Sequence, residues 1–314
     1  MTVINPSLDA SSLFSKSQVY IERGLIAKDT NNMEVYQLWA SLAIELLAKS
    51  SLSHVHPALV ADPTHVESLF AACGKQISPD VKTITAKTLF ERLSTLLPSF
   101  DQRCKHFCVQ LALRRNSELH SGESPFSGMN ADTWEGQFWY AAELLLVYQD
   151  KNLDDWLGAK EANAPKRILA QAESSLTLIV KEKLKHAKKD FSKEAPNASA
   201  KKAKMKSSID FSKNQFAEKF AYDLDIVERI KCPACSCLGG LGGELIDEEV
   251  DSSIDNDDPF IENLVQTYSS EEFLCLICNL HLKGKRELNE VEIEDTFTRI
   301  TEREREFEPD YGND

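Results

Sequence analysis

Across roughly the first 190 positions the apolar residues recur at intervals of three and four, with no sustained alternation of period two, which predicts helices and not strands. From Met33 to Leu52 one stripe is formed by Val35, Leu38, Trp39, Leu42 and Leu46. Ser78-Pro79 offers an N-cap and first-turn pair for a second helix carrying Leu89, Phe90, Leu93, Leu96 and Leu97, which Pro98 stops. A third begins near Asp101 and passes through Cys104, Phe107, Cys108 and Leu111 to Arg115 and His120, with Gly122 placed to end it. Trp134 to Tyr148 is a fourth, and Ala164 to about Asp190 a fifth that becomes steadily more basic. Residues 1–192 are therefore expected to form a helical domain.

The pattern changes after that. Residues 193–208 (KEAPNASAKKAKMKSS) have the small, polar composition of a flexible connector, so 193–225 reads as a linker with a short helix. Further on, DIVERIKC and EFLCLIC are β-prone, and Gly239, Gly240, Gly242 and Gly243 form a turn-like cluster. Residues 226–290 are expected to be a small β-rich module, with 244–258 (ELIDEEVDSSIDNDD) as a disordered acidic insert and 291–314 as a charged tail. The predicted fold class is thus mainly α with a small β module.

Charge narrows the function classes. The net charge of -14 argues against indiscriminate binding of phosphate backbones, so any nucleic-acid contact must be local. Residues 181–206 hold ten lysines against three acids, a composition most often found on a solvated helix face. No apolar run reaches the ~20 residues of a membrane span, and the N-terminus lacks the pattern of a secretory signal. A cytoplasmic location with reduced thiols is the expectation.

Eight cysteines fall into two groups. Cys73, Cys104 and Cys108 sit on or beside helices and read as buried core. Cys232-Pro233-Ala234-Cys235 and Cys275-Leu276-Ile277-Cys278 are paired C-x-x-C turns, each able to direct two sulfurs at one tetrahedral ion. A redox dithiol or four free buried thiols explains that pairing poorly. Cys232, Cys235, Cys275 and Cys278 are therefore expected to hold a structural zinc, with Cys237 as a possible substitute ligand and His281 as a nearby competitor. The spacing resembles a zinc ribbon, with Ser236 and Asn279 where ribbons commonly carry glycine.

Arg115 continues the buried stripe of its helix, where a charge needs a partner or a groove. An ion pair with Glu118, or snorkelling to the surface, would satisfy it. His120 in the last turn could simply favour the helix dipole. The run Arg115-Asn116-Ser117-Glu118-Leu119-His120, with Ser121-Gly122-Glu123-Ser124-Pro125-Phe126 and Trp134 after it, resembles the signature of the HEPN superfamily. Glu45 and Lys49 are similar to an accessory pair of some members, although Glu and Lys four apart are also an ordinary surface pair on a helix. The resemblance covers about residues 15 to 160. It implies an antiparallel helical bundle, a homodimer, and a metal-independent endoribonuclease of toxin or phage-defence type, in which Arg115, Asn116 and His120 act on RNA across a composite site. RNA, and a protein partner or antitoxin, are the partners it implies; the alternative it leaves is a non-catalytic module that binds RNA or a protein partner, the zinc ribbon serving as docking platform.

Overall fold

The computed structural model describes residues 4–127, 134–251 and 260–305. The chain divides into two compact units, Met1–Ser175 and Leu176–Asp314.

The first unit holds α1 (Ala10–Asp29), α2 (Met33–Val55), α3 (Val66–Ala72), α4 (Ala86–Leu96), α5 (Gln102–His120), α6 (Glu135–Val147), α7 (Leu153–Leu157) and the start of α8 (Asn163–Glu194). Helix α2 packs against α1, α4, α5 and α6, and its buried face is built largely from small residues, among them Ala40, Ser41, Ala43, Ala48, Ser50 and Ser51. Small side chains let neighbouring helices approach closely, and the buried hydroxyls find partners. Ser50 donates to Gln149 Oε1 (2.8 Å), and Gln149 Nε2 donates to Ser51 Oγ (2.9 Å). Local signals set the helix ends. Asp101 caps α5 through Cys104 N (2.9 Å), and Asn32 caps α2 through Val35 N (3.4 Å). The second predicted helix starts at the Thr85 cap and not at Ser78-Pro79. Among the described residues no helix is long and apolar enough to cross a membrane.

The second unit corrects the expected fold class. It contains the rest of α8, then α9 (Ala198–Ser207), α10 (Lys213–Ala217), β1 (Ile226–Lys231), β2 (Leu238–Val250), β3 (Ile261–Leu274), β4 (His281–Lys283), α11 (Lys285–Asn289) and β5 (Thr296–Glu304). Instead of a mainly α chain, a bundle carrying a small zinc-ribbon-like module, the molecule pairs a helical unit with a curled five-stranded antiparallel sheet. Strands run in the order β1-β2-β3-β4, and β5 pairs with the other end of β3. Register shifts at Gly242/Gly243 and Leu245/Asp247 bend β2 and add local twist.

Four segments account for the difference. Residues 244–250 of the acidic run are the second half of β2, where Glu248 meets Arg303 of β5 (3.1 Å); 252–258 lie outside the described residues. Residues 296–304 of the expected tail are β5, and those from 306 onward also lie outside the described residues. The glycine cluster is no turn but the buried half of β2, and a Cβ on Gly240 would sit 2.6 Å from Cγ of Phe216. The stretch expected as linker carries α9 and α10 and is tied to the sheet by Arg229, whose guanidinium donates to the carbonyls of Ser208 (2.5 Å), Phe211 and Gly239 (3.2 Å).

Candidate functional site

The cysteine knuckles are hairpin tips. Cys232–Cys235 lies between β1 and β2, and Cys275–Cys278 between β3 and β4, so sheet register brings the two together. Each knuckle repeats the same backbone pattern. Ser236 N donates to Cys232 O (2.9 Å) and Cys232 N to Cys237 O (2.8 Å); Asn279 N donates to Cys275 O (2.9 Å) and Cys275 N to Leu280 O (2.9 Å). The turn requires a left-handed residue after the second cysteine, and Ser236 (φ 63°) and Asn279 (φ 57°) occupy those places.

The four sulfurs lie within 4.8 Å of one another and all four residues are buried, so these cysteines are positioned to bind a metal ion. Cys232 Sγ is 3.6 Å from Cys278 Sγ, and Cys235 Sγ is 3.6 Å from Cys275 Sγ. A disulfide would bring two sulfurs to about 2.05 Å. Ala234 N additionally points at Cys232 Sγ (3.4 Å), a donor suited to a thiolate. Hydrogen bonding from Cys232, then Cys235 and Cys278, pulls the Cys275 thiol far below its ordinary pKa.

The neighbouring candidates are placed elsewhere. Cys237 is buried but outside the four-sulfur group, and burial pushes its thiol up. His281 is engaged through Nε2 by the carboxylate of Glu272, a fully buried residue that also accepts from Ala221 N (2.9 Å). Cys104 and Cys108 are core, whereas Cys73, expected there too, is exposed.

In the first unit, α2 and α5 bring together residues far apart in sequence. Arg115 Nη1 donates to Glu45 Oε2, and Lys49 Nζ lies 2.9 Å from the other carboxylate oxygen of Glu45. Asn116 Oδ1 accepts from Arg115 Nη2 (2.8 Å) and Nε (3.2 Å). Thr83 Oγ1, from the segment before α4, accepts from Lys49 (3.1 Å). The Arg115, Glu45 and Lys49 side chains are only 12–14% exposed. Burial opposes the charge on Glu45, but Lys49 and Arg115 outweigh it and hold its pKa below the ordinary 4.5. Glu118, the partner considered for Arg115, instead has a buried carboxylate oxygen with no hydrogen bond among the described residues.

His120 does not join this cluster. Five residues on from Arg115 it is rotated by about 140° around the helix. It is exposed, and its ring makes no hydrogen bond among the described residues. Leu113, Asn116 and His120 fall at i, i+3 and i+7, an outward face on which Leu113 is 53% exposed. Thr83 and Glu272 carry no periodicity or spacing that singles them out in the sequence. Comparison with family models, curated proteins and solved structures gives no significant match.

Proposed function

We propose that the chain is a metal-independent endoribonuclease of HEPN type, acting as a homodimer in which Arg115, Asn116 and His120 of two copies face one substrate, and that its four cysteines hold a structural zinc. The observation that carries this reading is the convergence of Arg115, Asn116, Glu45 and Lys49 at one place on α2 and α5. With two cations and one carboxylate, the cluster keeps one positive charge for a phosphate. The outward face of Leu113, Asn116 and His120 suits an antiparallel contact with the same helix of a second copy, which would supply the histidine that one copy holds apart from its own arginine.

The chemistry follows from the side chains. The RNA 2'-hydroxyl loses its proton and its oxygen bonds to the adjacent phosphorus. The bond from phosphorus to the 5'-oxygen breaks, and a proton reaches the leaving oxygen. His120 is suited to exchange those protons near neutral pH, Arg115 to stabilise the charge growing on the phosphoryl oxygens, and Asn116 to orient the guanidinium.

Zinc is favoured over other ions by the donor set. Four thiolates suit a soft or borderline metal, and a tetrahedron with Zn–S bonds of about 2.3 Å has sulfur edges of about 3.8 Å. The 3.6 Å separations match it. A shell closed by four protein ligands offers no position for water, so the ion stabilises the sheet and takes no part in cleavage.

One observation favours a second reading. The guanidinium of Arg115 already has carboxylate and amide partners, as a structural ion pair would, which suits a non-catalytic module that binds RNA or protein. Incubating wild type and His120→Ala with a mixed RNA pool separates the two. The nuclease reading expects cleavage that is lost in the variant; binding without cleavage by the wild type selects the second.

A further inference from the structure

Helix α1 carries three cations and two acids, and it treats them differently. Lys16 lies over the ring of Tyr20 (4.9 Å), Arg23 over that of Trp39 (4.9 Å), and Lys28 pairs with Glu135 (2.5 Å). The acids, Glu22 and Asp29, are exposed and make no ion pair among the described residues. Seven residues apart, they lie on one side of the helix, about 10 Å from each other along its axis.

Both acids line a groove of about 440 Å³ in the first unit, between α1 and the segment from Trp156 to Glu161. Ile21, Leu25, Trp156 and Leu157 give it an apolar lining, together with the exposed Ile26. Its polar groups are predominantly acceptors. Gln18 Nε2 already donates to Asp155 O (2.9 Å), Trp156 Nε1 to Ser17 Oγ (2.9 Å) and Gly158 N to Asp154 O (2.9 Å). The backbone N–H groups of α1 at these positions are spent within the helix. Glu161 adds a third carboxylate, whose one ion pair is a 3.4 Å contact with Lys160, a side chain 94% exposed.

We propose that this groove binds a linear aliphatic polyamine. Carboxylates in a lining poor in donors select a ligand that is cationic and carries donors only, as an ammonium group does. Among the described residues only the four cysteines converge closely enough to hold one metal ion, so the carboxylates of the groove do not share a single cation. A chain with an ammonium near each end reaches both Glu22 and Asp29, and its methylenes lie on the apolar lining between them. Such amines are charged at neutral pH, as the lysine side chain is. A basic peptide would bring carbonyl oxygens that find few donors there, and a groove of this volume suits a small molecule. None of the residues proposed for RNA cleavage lines it.

The test titrates spermidine into the full, metal-loaded chain by calorimetry at low and at physiological salt. One molecule should bind per chain, and more weakly as salt rises. Glu22→Gln, Asp29→Asn and Glu161→Gln together should weaken binding about tenfold or more, the loss expected of three exposed ion pairs, without changing the melting temperature of the free protein by more than a few degrees. A control with Glu218→Gln and Glu249→Gln, exposed acids of the second unit, should bind as the wild type does. Hexaamminecobalt, a compact ion with the same triple charge as spermidine but no methylene chain, should compete poorly, and butylamine, with one cation, should bind more weakly than spermidine. No saturable binding by the wild type, unchanged binding by the triple variant or an equal loss in the control would overturn the proposal. So would equal affinity for hexaamminecobalt, which would mark only an acidic surface, or tighter binding of a lysine-rich peptide.

Discussion

The guanidinium of Arg115 on α5 is ion-paired to the carboxylate of Glu45 on α2, seventy positions earlier, and Glu45 is shared with Lys49 one helical turn further along α2. This shared carboxylate fixes the expected response to acid. The folded-state pKa of Glu45 lies below its ordinary 4.5, so its contribution to stability is complete above that value and is lost as pH falls through the lowered one. Glu45→Gln should cost about 2 kcal/mol at neutral pH, between the limits for exposed and buried pairs, and should flatten the loss of stability below pH 4.5. Denaturant melts of both proteins as a function of pH check this; parallel curves would contradict it.

Metal loss should be confined in its effect. The two knuckles share one site, so we expect one zinc per chain, and Cys275→Ser should abolish it. Binding energies of order 10 kcal/mol for such sites rival the whole stability of a small domain, so the sheet should unfold while the helical unit, whose core contains none of the four ligands, keeps its structure. Elemental analysis with hydrogen exchange resolved along the chain measures both. Sheet protection unchanged without metal would contradict the structural role.

Ser236 offers a gain of stability. A side chain at φ 63° is strained by about 1 kcal/mol, and glycine is not, so Ser236→Gly should raise the stability of the metal-loaded protein by about that amount. Asn279→Gly should gain less, because Asn tolerates the left-handed region. Chemical denaturation at fixed zinc concentration decides, and equal gains at the two positions would be wrong.

Gly240 is the opposite case. Its missing side chain leaves room for Phe216, and Gly240→Ala should destabilise the second unit by about 1–3 kcal/mol through overpacking. A paired change of Phe216 to Leu should recover part of that loss, and failure to do so would place the strain elsewhere.

These residues also show what the sequence could and could not convey. The Asp101 cap and the stripe through Cys104, Cys108 and Leu111 are local signals, and α5 follows them to within a residue. The four-cysteine cluster was legible for the same reason, because each C-x-x-C turn is complete within six residues. Strand β2 was not. Its first half is glycine because the aromatic rings of Phe216, Phe273 and Phe297 press on it, and its second half is acidic because it is exposed, so neither half shows the alternation of an ordinary strand. The partner of Arg115 was hidden as well. Glu118 is three residues away along the chain, but helix packing decides the pair, and it selects Glu45.

The identity of the product ends tests the central proposal most directly. Single-stranded RNA incubated with the zinc-loaded protein, in a chelator too weak to strip the four-cysteine site, should be cut to fragments bearing 2',3'-cyclic phosphates and 5'-hydroxyls. Because His120 is exposed and its ring makes no hydrogen bond among the described residues, His120→Ala should reduce the rate at least about a hundredfold with no change in folding. Intact RNA, fragments ending in 5'-phosphate, or unchanged cleavage by the variant would contradict the account.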